Sequence, residues 1–242
     1  LSVVANIRDI SRFREADELK ATFISVISHE LRTPVALIKG YVGTLRREDA
    51  QWDRAVVQNS LAVIEEEADH LARLIDDLLE ASRLQSGSLA LSFSEVDLAR
   101  LATEQAERFR TQSEKHRFLV SFPSDFPVIP ADEQRLTQVV SNLLSNAVKY
   151  ARDGGDIEIS GRVRGEEVII CVTDQGPGIT PQDSARIFER FYRSAEAAKS
   201  SQGAGLGLFL AKAVVEAHGG RIWVDQAVER GARICFSLPR PA

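Results

Sequence analysis

The chain has 242 residues, enough for one large or two ordinary domains, and its 44% hydrophobic and 27% charged residues suit a globular protein. A net charge of -5 argues against a dominant nucleic-acid surface, because phosphate binding needs a basic face. No apolar run is long enough to cross a bilayer, no signal peptide is visible and there is no Met. The expectation is the cytoplasmic portion excised from a longer protein, whose membrane anchorage is left open.

Residues 1–13, LSVVANIRDISRF, alternate like a short strand and then turn polar. They are too short for a domain and are expected to be the tail of an upstream one with its linker. Residues 14–90 carry two long helical patterns. In the first, Ile24, Ile27, Leu31, Ile38, Tyr41 and Leu45 take a and d positions of a heptad, with Pro34 on one d position. In the second, Val57, Leu61, Ile64, Ala68, Leu71, Leu74, Ile75 and Leu78 form a wider stripe. The polar stretch RREDAQWD between them suits a helix–helix turn. A lone hairpin cannot bury such stripes, so a homodimeric four-helix bundle is expected.

That register places His29 at f, far from the seam, next to Glu30 and one turn before Thr33. The imidazole is therefore expected to be exposed. Pro34 removes a backbone hydrogen bond and is expected to bend the helix there. His70, His116 and His218 are read as structural. Cys171 and Cys235 each sit in an apolar, strand-like run and are read as buried core thiols.

Residues 91–242 read as mixed α/β. Helical patterns cover DLARLATEQAERFRTQSEKH, DEQRLTQVVSNLLSNAVKYA and LGLFLAKAVVEAHGG. Strand patterns cover RFLVSF, GDIEISGRV, EEVIICVTD, RIWVDQ and ARICFSLP. The fold class is α+β: a helical hairpin forming a dimeric four-helix bundle, followed by an α/β sandwich with helices on one sheet face.

Three stretches of this part look chemical. Asn142, Asn146 and Lys149 share one face of a helix, a row of two amides and an ammonium that suits a metal-phosphate ligand. DQGPGI ends a strand with Asp174, Gly176 and Gly178, where glycines allow close backbone approach and a carboxylate can accept from an exocyclic amine. GAGLGL, residues 203–208, precedes a helix, whose N-terminal amides favour phosphate. Each alone is also compatible with a solvated edge or an ordinary turn.

Taken in order, these stretches resemble a known family. SHELRTP resembles the phosphoacceptor box of two-component sensor histidine kinases, NLLSNAVKY their N box, and DQGPGI, FERFYR and GAGLGL their G1, F and G2 boxes. The resemblance runs from about residue 14 to 239, and VVANIRDISRFRE more faintly resembles the exit of a PAS sensor domain. It implies a dimerisation and histidine phosphotransfer domain, then a catalytic ATP-binding domain of the GHKL superfamily. It further implies autophosphorylation of His29 from ATP with Mg²⁺, then transfer to an aspartate of a response regulator. Glu30 would orient the ring or take its proton, and Thr33 would help place a water for dephosphorylating the regulator.

By the same resemblance Asn146 would hold the metal with Asn142 beside it, Lys149 would contact phosphate and Tyr150 would pack on base or ribose. Asp174 would receive the adenine amine. Gly176, Gly178, Ile179, Gly203, Gly205, Leu206 and Gly207 would shape the pocket and its lid, SAEAAKSSQGAG. Arg190 or Arg193 would approach the γ-phosphate, with Arg193 carried as the candidate. Two positions depart from the family pattern: Ala204 and Ala232 stand where hydroxyl residues are common. The rival readings are a GHKL-type ATP hydrolase and a non-enzymatic dimeric scaffold. Against the hydrolase, Asn142 stands where those enzymes carry a glutamate base, and an amide cannot take the proton.

Overall fold

The computed structural model describes residues 11–47, 49–85, 90–194, 203–228 and 230–240, with α1 side chains described from residue 25 onward. The chain divides into two compact units, Leu1–Asp76 and Asp77–Ala242. The division falls inside a helix, whereas the polarity pattern places it near residue 90.

The first unit holds α1 (Ser11–Leu45) and most of α2 (Arg54–Gln85). The strand expected over 1–13 lies mostly outside the described residues, and Ser11–Phe13 are helical instead. α1 runs unbroken through Pro34, which is buried. Ile27, Leu31, Ile38, Tyr41 and Leu45 are half-buried, while Arg32, Ala36 and Lys39 on the other side are exposed, as the heptad requires. Asp53 starts α2 by accepting from the Val56 amide at 2.8 Å, satisfying one of the donors a helix leaves unpaired at its N-terminus. Val35, Leu37 and Val42 on α1 and Leu61 and Ile75 on α2 remain exposed.

The second unit opens with β1 (Ser94–Val96), α3 (Leu98–Arg110), β2 (His116–Ser121), β3 (Ile129–Ala131) and α4 (Glu133–Tyr150). It continues through β4 (Gly155–Arg164), β5 (Glu167–Thr173), the short α5 (Pro181–Ser184), α6 (Gly207–Ala217), β6 (Arg221–Val224) and β7 (Arg233–Pro239). Five strands form one sheet in the order β2-β4-β5-β7-β6, with only β2 and β4 parallel. β1 and β3 make a separate antiparallel pair that the sequence pattern does not show.

Strand alternation sorts the sheet into two faces. Val168, Ile170 and Val172 of β5 and Ile234, Phe236 and Leu238 of β7 join the helices in one core with Leu136, Val139, Leu143 and Val214. Each fully buried leucine there contributes roughly 1.5–3 kcal/mol. The opposite face carries Ile169, Cys171 and Cys235 under a half-buried Trp223. Cys171 and Cys235 are not separate thiols: they face each other across the β5–β7 pair and form a disulfide with S–S 2.07 Å. Among the described residues no helix is long and apolar enough to cross a membrane.

Candidate active site

On α1 the His29 side chain is 77% exposed, whereas that of Glu30 beside it is only 8% exposed. Glu30 falls at g in the heptad, flanking the seam, which brings it inward while His29 at f points out. The His29 Nδ1 and Glu30 Oε1 are 3.9 Å apart, an ion-pair distance and not a hydrogen bond. The Thr33 hydroxyl donates to the His29 carbonyl at 3.3 Å, one turn back along the helix.

In the second unit the motifs surround a cavity of about 560 Å³. Asn146 and Tyr150 of α4 line it, with Asp174, Gly176, Gly178 and Ile179 from the strand end after β5, and Arg193 from the FERFYR segment. α4 is placed by Asp132, which caps it by accepting from the Arg135 amide at 3.1 Å and also ties down the Ser92 amide at 2.9 Å. Burial works against ionisation of that carboxyl, but these two N–H donors and the Arg135 charge hold its pKa below the ordinary value. The Asp132 amide in turn donates to His218 Nε2 at 3.0 Å, and His218 Nδ1 donates to the Val214 carbonyl at 2.8 Å. His218 is thus a buried strut between α4 and α6. His116 is structural too, bonded to Ser113 Oγ at 2.6 Å and the Ala151 carbonyl at 2.8 Å.

Asp174 is 8% exposed. Its Oδ1 accepts from the Gly176 amide at 2.8 Å and the Ala232 amide at 3.3 Å, while its own amide donates to the Ala232 carbonyl at 2.9 Å. Burial raises the carboxyl pKa above its ordinary value, against the pull of the two amides. Gly231 makes the close approach possible: its φ is +79°, and a Cβ there would lie 1.8 Å from the Asp174 carbonyl oxygen. Ala232 acts here through its backbone, so its missing hydroxyl costs this contact nothing.

Asn142, Lys149, Gly203, Gly205, Leu206 and Gly207 are not among the residues that line the cavity. Asn142 donates through Nδ2 to the Gly207 carbonyl at 3.1 Å, joining α4 to the first turn of α6. Gly203 lies so near Lys149 that a Cβ would sit 2.8 Å from its Nζ. Gly205 packs on Phe191 and Tyr192 and accepts from the Phe191 amide at 3.0 Å, and Leu206 is buried just ahead of α6. Arg193 lines the cavity; the Arg190 guanidinium lies over the Phe191 ring at 4.7 Å. Most of the expected lid, residues 195–202, lies outside the described residues.

Among the lining residues that escaped the motif reading are Asp183, Tyr192 and Arg230. Tyr192 donates to Asp183 Oδ1 at 2.5 Å, which lowers the pKa of Asp183 and raises that of Tyr192. The Arg186 guanidinium lies 4.3 Å from the Tyr192 ring centre. Arg230 lines the cavity beside Gly231. Tyr192 stands inside the quoted FERFYR stretch, and its aromatic ring between two arginines was the available signal.

The sheet order, the helices on one face and a cavity walled by an asparagine helix and a glycine-flanked aspartate define an ATPase-type α/β sandwich following a helical hairpin. A model of the family described as "Histidine kinase-, DNA gyrase B-, and HSP90-like ATPase" matches residues 131–242, and one described as "His Kinase A (phospho-acceptor) domain" matches residues 19–87. The chain is 34% identical over 241 residues to sensor histidine kinase WalK of Bacillus subtilis (strain 168), covering 98% of this chain and 39% of WalK. Among solved structures, full-length ShkA in complex with AMPPNP matches with TM-score 0.66 and 32% identity over 90% of this chain and 45% of ShkA. A mycobacterial sensor histidine kinase, MprB, matches with TM-score 0.54 and 34% identity over 62% of this chain and 100% of that structure. The chain belongs to the sensor histidine kinases. It spans about two fifths of the length of the curated relatives it matches.

Proposed function

We propose that this chain is the kinase core of a two-component sensor. In this reading residues 14–90 form the dimerisation and phosphoacceptor domain and residues 91–242 the ATP-binding catalytic domain. The observation that carries the nucleotide reading is Asp174, a buried carboxylate whose two protein donors converge on Oδ1. Oδ2 is then left to accept from the exocyclic amine of adenine, with Ile179 and Tyr150 as walls for the base and ribose. Lys149, against the Gly203 backbone, and Arg193 supply positive charge for the phosphates.

Asn146 fits a hard cation, because it lines the cavity and carries an amide oxygen, whereas Asn142 is off the wall with its amide nitrogen committed to Gly207. Mg²⁺ there would offset phosphate charge during transfer. An imidazole whose Nδ1 proton faces Glu30, 3.9 Å away, would present its Nε2 lone pair to the γ-phosphorus. As the Nε2–P bond forms, the bond to the β–γ bridging oxygen breaks, ADP leaves, and Glu30 takes the Nδ1 proton. The phosphoryl group then passes to an aspartate of a response regulator, and Thr33 serves the reverse task of placing water for its dephosphorylation. The exposed apolar residues of α1 and α2 are assigned to a second copy, giving a homodimer.

Labelling with γ-³²P ATP and Mg²⁺ tests the assignment. Acid-labile label in the wild type that vanishes in His29→Gln is the expected result. Label that survives in the variant moves the acceptor elsewhere, and phosphate release without label favours hydrolysis.

A further inference from the structure

Cys171 and Cys235, the two cysteines of the sequence, stand opposite each other on β5 and β7 and are joined as a cystine. They lie on the sheet face turned away from the helices, packed with Ile169 and Trp223. Trp223 is opposite Cys235 across the β6–β7 pair, and β6 is a four-residue edge strand held on one side only. Access to the buried sulfurs therefore runs through fraying of a short edge strand, the kind of segment that opens at low free energy.

The cystine is also wired to the nucleotide cavity. Two rungs along the same pair of strands, and on the same face, Arg233 Nε donates to Thr173 Oγ1 at 3.0 Å. The next pair is Asp174 and Ala232, whose main chains bond at 2.9 Å and whose N–H and carboxylate meet at 3.3 Å. The strands that the cystine staples are thus the strands that present the base-reading carboxylate. In a close-packed interior two non-bonded sulfurs need more room than two bonded ones, so opening the bond spreads these rungs.

We propose that Cys171–Cys235 is a reversible thiol–disulfide modification site that sets the nucleotide affinity of the adjoining cavity. The cystine form holds β5 and β7 in register for tight binding, and the dithiol form binds more weakly. The inference rests on the nucleotide reading of the cavity. The co-reactant is a dithiol. Its thiolate attacks one Sγ, the Cys171–Cys235 bond breaks, the other cysteine is released and a mixed disulfide forms; its second thiol then attacks its own sulfur in that mixed disulfide and displaces the cysteine still bound there. Two electrons and two protons reach the protein, leaving two thiols, and the dithiol ends as a disulfide. Such chemistry suits a reducing compartment, where the disulfides that occur are usually transient or redox-sensing.

The test uses the full chain equilibrated with reduced and oxidised dithiothreitol at graded ratios. Thiol alkylation and mass spectrometry report the state of Cys171 and Cys235, and calorimetry reports binding of a non-hydrolysable ATP analogue. The expected result is reversible opening of the cystine, with Kd rising roughly fivefold in step with the dithiol fraction. A Cys171→Ala/Cys235→Ala variant is expected to bind with one affinity at every ratio; should it unfold, the wild-type titration decides alone. Equal affinity of the two wild-type forms overturns the proposal and leaves the nucleotide reading standing. Cysteines that stay thiols under oxidised dithiothreitol overturn it as well. No analogue binding at any ratio overturns the proposal together with the nucleotide reading.

Discussion

Asp174 concentrates the chemistry of the cavity in one carboxylate. Substituting Asn keeps an oxygen to accept from the Gly176 and Ala232 amides but turns the second oxygen into a donor facing another donor. Asp174→Asn is expected to weaken ATP binding about a hundredfold or more, read by calorimetry, while the fold persists. The acid dependence follows from the raised pKa. The folded state holds the Asp174 proton more tightly than the unfolded chain, so its contribution is fully present below the ordinary carboxylate pKa. It is lost as pH rises through the higher folded value. Urea midpoints of the ligand-free wild type are expected to carry that downward component with rising pH, and those of Asp174→Asn to lack it. At the other motif, Thr33→Ala removes only a hydroxyl bonded within its own helix, so autophosphorylation is expected to survive while regulator dephosphorylation falls; equal loss of both refutes the division of roles. Single residues were legible where a motif fixed their neighbours, as with His29, Asn146 and Asp174. The burial of Glu30, the backbone contact of Ala232 and the bonding of the cysteine pair were not, because burial and cross-strand partners come from register, and a thiol and a half-cystine look alike in an apolar run.

Among the elements, α4 carries the greatest duty, and its start is over-determined. Asp132 caps it, binds the Ser92 amide and hangs from His218, while Arg135 and Gln138 one turn on both bond Glu80 of α2. Asp132→Ala removes the cap and leaves two amides unsatisfied, at a cost of about 2 kcal/mol measurable as a lower urea midpoint. Because the folded pKa of Asp132 is depressed, that contribution is present above the ordinary carboxylate pKa and is lost as pH falls through the folded one. The gap between wild type and variant is therefore expected to close in acid. Long periodic elements such as α4 and the β4–β5 hairpin could be read from pattern alone. The three-residue β1 and β3 and the single turn of α5 could not, since three or four residues show no period.

For the whole molecule, the exposed apolar side chains of the helical hairpin predict its association. Leu61→Glu/Ile75→Glu places charge where a second copy is expected to pack, and sedimentation is expected to show monomers whose nucleotide affinity is unchanged. A variant that stays dimeric removes these residues from the interface. The order of the chain also gives the molecule a direction in time. Synthesis delivers the hairpin with His29 first and β7 last among the sheet strands, and the amide that completes the Asp174 cradle arrives 58 residues after Asp174 itself. On the proposed function, a nascent chain would therefore expose His29, its proposed phosphate acceptor, well before the Asp174 cradle is complete. Kinase competence, on that same reading, would be acquired only when the last strand docks, and a product terminated before β7 is expected to bind no nucleotide.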